Sequence, residues 1–477
     1  MCQTINLTLY EMLEKYFIAR KKLYPQNVKG KFRQLKSRLN MLFLSIYCFS
    51  PFIKFERGSS APSQAILIDI TNSKIYFFFI EIWAQEVFYL AGILILCAVA
   101  LFFVTSLFGR VWCGYACFQT VWTDIFIAVE RFFQGDRNER ILLDRKNNFK
   151  KFYKKIFTHL SWIFISLITG LVFVNYFNDS QALLKKIVNL NFNEISLKII
   201  GWISGIGFMT YLMAGFAREH VCTYMCPYAR FQSVMFDDNT LILSYDKKRG
   251  EERGKWHRGE SFENRGHCID CKQCVVVCPT GIDIRNGLQM ECIACGLCID
   301  ACDEVMEKVG LPKGLIRYDT LSHLLEPIPQ KKFRFLQART FYYSAILILV
   351  SSLMLTSLIY KPQIETSIFQ ERNPLYITLS DGSIRNVYNL KIINKNHEIK
   401  QFSLAISKPN FAEIKISNHD EKNLTVPAES AVDLKIFVTI PAQKISEISE
   451  DRILIEMILQ DLATQKIEKI STIFIGK

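Results

Sequence analysis

No cysteine follows Cys302 in this chain of 477 residues, although the chain has 15. A disulfide framework would spread its cysteines through an extracellular domain, so that class is excluded. Histidine is scarce too, at 7 residues. Only His159 falls inside an apolar run, near its end, while His257, His267 and His323 lie in a polar segment and His397 and His419 near the C-terminus. Bis-histidine haem needs facing histidines within the membrane, so haem is disfavoured. Cations are nearly missing from two stretches: Gly58 to Glu81 has only Lys74, and Asn178 to Leu197 has only Lys185 and Lys186. The N-terminus lacks the short charged leader of a signal peptide. About forty mostly polar and basic residues precede the first apolar run, so the first span is expected to stay in the mature protein.

What is present is apolar and unevenly distributed. Hydrophobic residues make up 50% and charged residues 22%, with 37 Phe and a mean hydropathy of +0.15. That mixture points to apolar spans separated by charged loops. Five segments approach the length of about 20 residues that crosses a bilayer. They are Leu39–Phe55, Ile82–Phe108, Phe157–Phe177, Ile199–Phe216 and Phe341–Tyr360.

The net charge of +13 could suggest nucleic acid, but Lys and Arg cluster beside the spans instead. The arm from Arg20 to Arg38, the stretch from Arg137 to Lys155 and the segment from Arg218 to Arg339 are all basic. Their alternation with the cation-poor stretches places these three in the cytoplasm and the C-terminus outside. The expected organisation is a basic arm (1–38) and a four-span region (39–217) with a cytoplasmic loop (109–156). A cytoplasmic segment (218–340), a fifth span (341–360) and an outer domain (361–477) follow. In that last domain, β-branched runs such as Leu375–Ser380, Val387–Asn394 and Ala431–Ile440 alternate with turn residues. The pattern predicts an all-β, immunoglobulin-like sandwich with an interaction role.

The chemistry concentrates between Cys268 and Cys302. Cys268, Cys271, Cys274 and Cys278-Pro279 form C-x2-C-x2-C-x3-C-P, the bacterial ferredoxin run. Cys292, Cys295, Cys298 and Cys302 repeat the spacing, with Asp303 where Pro would follow. Three thiolates on one tight loop reach three irons of one cubane, and the fourth cysteine ligates the other cluster. One [4Fe-4S] cluster is therefore expected on Cys268, Cys271, Cys274 and Cys302, and a second on Cys292, Cys295, Cys298 and Cys278. Four-cysteine zinc sites do not use two such runs. The ferredoxin-like α+β domain is expected over about 258–312. The cations before it, Lys247, Lys248, Arg249, Arg253, Lys255 and Arg258, suit either a docking surface or a solvated juxtamembrane loop.

Two further pairs lie where even-numbered spans end. Cys113-Gly-Tyr-Ala-Cys117 follows Arg110, and Cys222-Thr-Tyr-Met-Cys226 follows Arg218. Both are C-x3-C, and the two halves resemble a diverged internal repeat. On helices, i and i+4 share one face, so four thiols could converge. Thiolates are soft ligands suited to Cu(I), with Met225 and His220 as further candidates. A thiol pair can also exchange electrons by forming a disulfide. Cys2, Cys48 and Cys97 stand alone and are read as ordinary thiols.

Together these motifs resemble the CcoG/FixG/RdxA family of cytochrome c oxidase accessory proteins over nearly the whole chain. Cys-Gly-Tyr-Ala-Cys and Cys-Thr-Tyr-Met-Cys-Pro-Tyr-Ala-Arg-Phe-Gln carry the resemblance most specifically. It implies a multi-pass protein of the bacterial inner membrane that assists assembly of cbb-type oxidase by reducing Cu(II) to Cu(I). Its implied partners are oxidase subunits or a copper chaperone, with electrons from an unidentified donor. The family's C-x3-C-P motifs map to Cys113/Cys117 and Cys222/Cys226. Phe118 stands where the first motif has proline, so a proline-set backbone is not expected there. A quinol-oxidising conduit like the polyferredoxin subunits of nitrate or nitrous-oxide reduction, and a scaffold with structural clusters, are the competing readings.

Overall fold

The computed structural model describes residues 22–58, 61–146, 148–257, 260–263, 265–325, 337–417, 420–447 and 452–476. Cys2, Arg20, Lys21, Arg258 and His419 lie outside them. The chain divides into two compact units, one of residues 1–53 and 66–353 and one of 54–65 and 354–477.

The first unit holds the helices α1 (Lys31–Phe49), α2 (Val87–Phe108), α3 (Val111–Tyr115), α4 (Phe118–Gln134), α5 (Phe149–Asn175), α6 (Leu197–Met225) and α7 (Pro227–Met235). The helix α8 (Leu297–Val309), which carries Cys298 and Cys302, and the apolar α9 (Ala338–Ile359) follow, α9 running across the division between the units. Among the described residues, α2 with its preceding turn, α5, α6 and α9 are long and apolar enough to cross a membrane. Gly109 ends α2: its N–H bonds to Thr105 O at 2.9 Å and its φ is 57°, where a β-carbon would meet Leu241 O at 2.8 Å.

The first expected span is displaced toward the N-terminus. Its helix, α1, starts at Lys31 and stops at Phe49, where Pro51 turns the chain, rather than running to Phe55. Lys31, Arg33, Lys36 and Arg38 dilute its apolar character. It nevertheless runs alongside α4 and α5. Arg33 pairs with Asp124 at 2.8 Å near one end, and the Ser50 and Tyr176 hydroxyls meet at 2.6 Å just past the other. Between them, the Tyr47 hydroxyl donates to Thr169 O at 2.8 Å. At about 1.5 Å per residue, 19 residues reach about 28 Å, close to the thickness of a hydrocarbon core.

Helices α5 and α6 pack through glycine. A β-carbon on Gly170 would sit 2.3 Å from Ile203 O, and one on Gly207 would sit 3.1 Å from Ser166 O. The connection before α2 is itself structured, as an antiparallel meander of β1 (Ile66–Asp69), β2 (Lys74–Phe77) and β3 (Ile80–Trp83).

The cysteine-rich segment is closed by β4 (Leu241–Tyr245) and β5 (Ile316–Thr320), paired antiparallel from Leu241↔Thr320 to Tyr245↔Ile316. This unit therefore reaches past 258–312 on both sides. Leu243, Tyr245, Val277, Ile284, Leu297 and Met306 pack around the cysteines of the two runs in one core.

The second unit is an all-β sandwich. One sheet runs β10 (Glu413–Ile416), β12 (Ser430–Ile440), β8 (Ile384–Asn394), β6 (Ile364–Gln370), with β7 (Ile377–Thr378) paired to β8. The other runs β11 (Leu424–Val426), β9 (Lys400–Lys408), β13 (Arg452–Asp461), β14 (Ile467–Ile475). Alternation on β12 turns Leu434, Ile436, Val438 and Ile440 inward against Tyr388, Met457 and Phe474.

Candidate metal centres

The two ferredoxin runs fold into matching loops. The second and fourth residues after the first cysteine have positive φ in both: Asp270 at 53° and Lys272 at 58°, Ala294 at 50° and Gly296 at 73°. Three of the four are not glycine, so the loop holds a conformation that L side chains rarely adopt. Such turns gather N–H groups toward one point, and Ala294 N–H donates to Cys292 Sγ at 3.4 Å. Gly296 then starts α8, which carries Cys298 and Cys302 one turn apart.

The fourth cysteine of each run lies with the first three of the other. Cys302 is within electrostatic range of Cys274, Cys271 and Cys268, and Cys298 of Cys295, Cys292, Cys278 and Cys274. A small pocket is lined by Cys274, Cys278, Cys292, Cys295 and Cys298. Burial pushes the Cys274, Cys292 and Cys302 thiols up to about 12, and Cys298 well up. Dry thiols gathered in fours fit iron, because a bound cation supplies what their thiolates lack. Cys271 is exposed, whereas Cys292, Cys295 and Cys298 are buried. The buried Arg285 lies beside Cys274, held by Asp270 at 2.5 Å and Asp283 at 2.7 Å. Of the preceding cations, Arg249 is built into the domain: it donates to His267 Nδ1 at 2.9 Å and Lys313 O at 2.9 Å.

The two C-x3-C pairs also come together. Cys113 lies within electrostatic range of Cys117 and Cys226, and Cys222 of all three. Each pair is a helical turn ending in a cysteine that starts the next helix. Cys117 (φ −63°, ψ 127°) precedes α4, and Cys226 (φ −79°, ψ 112°) precedes α7. The expectation that the first pair would lose its proline-set geometry is therefore corrected. Phe118 leaves the backbone of Cys117 in the same extended conformation, because the Thr120 hydroxyl donates back across the turn to Cys113 O at 2.6 Å and holds it without a proline. Cys222 sits in a π-helical stretch, Val221–Met225, a local form often found at functional sites.

Burial pushes the Cys113 thiol up to about 11, and its Sγ lies 3.5 Å from Gln232 Oε1. Gln232 is wholly buried, and its Nε2 has no hydrogen-bond partner. An orphaned amide donor beside Cys113 is what a bound metal–thiolate group would satisfy. Met225 is 58% exposed, and His220 stacks on Tyr224. Cys48 is half-buried within α1 and Cys97 is exposed on α2.

This four-thiol site abuts one ferredoxin loop. Cys113 and Cys222 pack against the ferredoxin core. A β-carbon on Gly114 would meet Ile293 O at 2.7 Å and Cys295 Cα at 3.0 Å. The Tyr115 hydroxyl donates to Cys295 O at 3.0 Å. Arg110, 5% exposed, donates to Met290 O, to Cys292 O at 3.4 Å and to Ala229 O on α7. Its counterpart Arg218 acts elsewhere, pairing with Glu130 at 2.8 Å. Sequence spacing singled out the cysteines but not the roles of Gln232, the last residue of the second motif, and of Arg110. Arg110 stood in the motif, yet nothing in a linear pattern names the carbonyls it would reach.

Family models agree with this layout. A 4Fe-4S dicluster domain matches residues 217–321, a 4Fe-4S binding domain matches 90–135, and an IG-like fold at the C-terminal of FixG matches 354–477. The nitrogen fixation protein FixG of Rhizobium meliloti is 39% identical over 467 residues, covering 90% of this chain and 88% of its own. Protein RdxB of Cereibacter sphaeroides is 39% identical over 97% of both chains. Protein RdxA of the same organism is 41% identical over 90% of this chain and 92% of its own. With apolar helices, two ferredoxin loops and this C-terminal sandwich all in place, the chain belongs to the FixG/RdxA family of membrane iron–sulfur electron-transfer proteins.

Proposed function

We propose that the protein reduces Cu(II) to Cu(I) at the four-thiol site of Cys113, Cys117, Cys222 and Cys226, in the service of assembling a cbb-type cytochrome c oxidase. The observation that carries this reading is the convergence of those thiols beside the loop of Cys292 and Cys295. Thiolates are soft and favour Cu(I) over Cu(II), so the site itself draws a bound copper ion toward the reduced state. Burial pushes the Cys117 thiol up, so a bound metal ion would supply the charge that its thiolate lacks. Each thiol that binds copper gives up its proton to solvent.

The proposed cluster ligands are Cys268, Cys271, Cys274 and Cys302 for one [4Fe-4S] cluster, and Cys292, Cys295, Cys298 and Cys278 for the other. When bound, these clusters supply electrons singly, which matches the one-electron step from Cu(II) to Cu(I). The basic loops support a reading with the ferredoxin unit in the cytoplasm of a bacterial cell and the sandwich domain in the periplasm. There the sandwich would meet oxidase subunits or a copper chaperone.

The test is an anaerobic titration of Cu(II) into reduced protein, following Cu(I) formation and cluster oxidation by absorbance and paramagnetic resonance. Wild type should make Cu(I) as its clusters oxidise. A Cys222→Ser/Cys226→Ser protein should keep both clusters and make little Cu(I). If Cu(II) leaves the clusters reduced, or the variant is as fast as wild type, the copper reading fails and quinol oxidation becomes the reading to examine.

A further inference from the structure

We infer that Arg110 and Tyr115 are positioning residues that couple the four-thiol site to the cluster held on the Cys292–Cys298 loop, leaving the Cys268–Cys274 loop outside that coupling. The inference deepens the proposed function and rests on its assignment of the thiol site.

Arg110 is the centre of the junction. Its guanidinium is buried and touches three segments at once. It belongs to the first C-x3-C segment, three residues before Cys113. It donates to Ala229 O, three residues beyond Cys226 in the second. It donates to Met290 O and Cys292 O at the start of one ferredoxin loop. A planar fork of five N–H donors can hold three carbonyl groups in fixed directions, which a lysine ammonium cannot.

Tyr115 adds a second tie, to Cys295 O at 3.0 Å. Gly114 lets the turn approach so closely that any side chain there would strike the backbone of Ile293 to Cys295. The neighbouring Tyr318 hydroxyl donates to Ala294 O at 2.5 Å, so two adjacent tyrosines hold consecutive carbonyl groups of this loop. All of these contacts fall on the loop of Cys292, Cys295 and Cys298. The other loop has an exposed ligand, Cys271, and its own buried cation, Arg285.

The geometry has two consequences. A charge or bond change at the thiols should be felt by the neighbouring cluster and not by the distant one. The Arg110 cation, beside Cys292, should also make electron addition to that neighbouring cluster easier.

The experiment uses the full-length protein, purified without oxygen and carrying both clusters. The probe is cadmium(II) at one equivalent, which binds thiolates and has no redox chemistry. Paramagnetic resonance during a redox titration reads the spectrum and midpoint potential of each cluster. A Cys271→Ser protein, altered at an exposed ligand of the other cluster, assigns the signals. In wild type, cadmium should shift the signal of the Cys292–Cys298 cluster and leave the second signal in place.

In Arg110→Gln, that cluster's potential should fall without cadmium, and the cadmium shift should be at least halved. Arg110→Lys should restore the potential, which follows charge, but not the cadmium response, which follows geometry. If Arg110→Gln fails to retain clusters, Tyr115→Phe carries the test: its cadmium shift should shrink while its potential stays near that of wild type. A cadmium shift on the Cys268–Cys274 cluster, on both clusters equally or on neither overturns the inference. So does an Arg110→Gln protein, or failing that a Tyr115→Phe protein, indistinguishable from wild type. None of these readouts requires copper reduction, so failure of the reductase reading would be seen separately, in the Cu(II) titration.

Discussion

Asp300, set between Cys298 and Cys302 on α8, accepts the backbone N–H of Arg33 at 2.7 Å. It also accepts the N–H of Phe32 at 3.2 Å, and it is 7% exposed. The first turn of α1 thus has two of its orphan N–H groups satisfied by a carboxylate from α8. Gly30, the residue before α1, has no side chain to cap it, and a β-carbon there would lie 2.2 Å from Asp300 Cγ. Asp300→Ala should lower stability by about 1–2 kcal/mol, the usual cost of a lost helix cap. Iron should be released at a lower temperature, while Asp300→Asn should lose less. Thermal melts followed by cluster absorbance decide this, and an Asp300→Ala protein that melts with wild type removes the cap from the account.

Glu130 on α4 is buried between two guanidinium groups, Arg140 at 2.6 Å and Arg218 at 2.8 Å. Burial alone would raise its carboxyl, but Arg218 and Arg140 outweigh that and hold it below the usual carboxylate range. A depressed folded-state pKa contributes stability above the unfolded value of about 4.3 and loses it as pH falls through the folded value. The helical region should therefore hold through pH 5 and weaken only in stronger acid. Glu130→Gln should cost about 3–5 kcal/mol at neutral pH, because two buried cations lose their counter-charge. Circular dichroism melts at several pH values read both effects. A variant as stable as wild type at pH 7 refutes the second.

The ferredoxin spacing was legible because each loop is local: three cysteines at two-residue gaps force one tight turn, whatever surrounds it. The cross-strand alternation of Leu434, Ile436, Val438 and Ile440 was legible for the same reason. The start of α1 was not. Its charges Arg33 and Lys36 read as a solvated arm, yet Lys36 is 2% exposed and lies 3.5 Å from Asp124. Its N-terminal cap comes from a residue 267 positions away. Contacts of that separation leave no periodic trace in either partner. The pairing of β4 with β5 around the cysteine loops was hidden in the same way.

Phe118 is 76% exposed and is the first residue of α4, after a cysteine whose φ and ψ are −63° and 127°. That extended conformation is the one a following proline prefers, and the first helical position tolerates proline well. Phe118→Pro should therefore fold, retain both clusters and gain about 0.4–1 kcal/mol by restricting the unfolded chain. Denaturant titration measures the gain. A destabilised Phe118→Pro protein would mean that the turn at Cys117 differs from its counterpart at Cys226 in a way their matched dihedral angles do not capture.

Proton release ties metal binding at the thiol site to pH. Burial pushes Cys113 up to about 11, so it is protonated throughout the range from pH 6 to 9. A metal that takes this sulfur as thiolate must displace its proton, and lower pH favours the protonated, metal-free form. Cadmium affinity should rise steadily with pH, by about tenfold per unit for each proton displaced. Titration at several pH values with a competing chelator gives the slope. Cys113→Ser should lower affinity and flatten the slope by about one proton, whereas Cys97→Ala, altered on the exposed face of α2, should leave both unchanged. A Cys113→Ser protein with wild-type affinity and slope would mean that the sulfur of Cys113 is not among the ligands, and a pH-independent affinity in wild type would mean that none of the protonated thiols is.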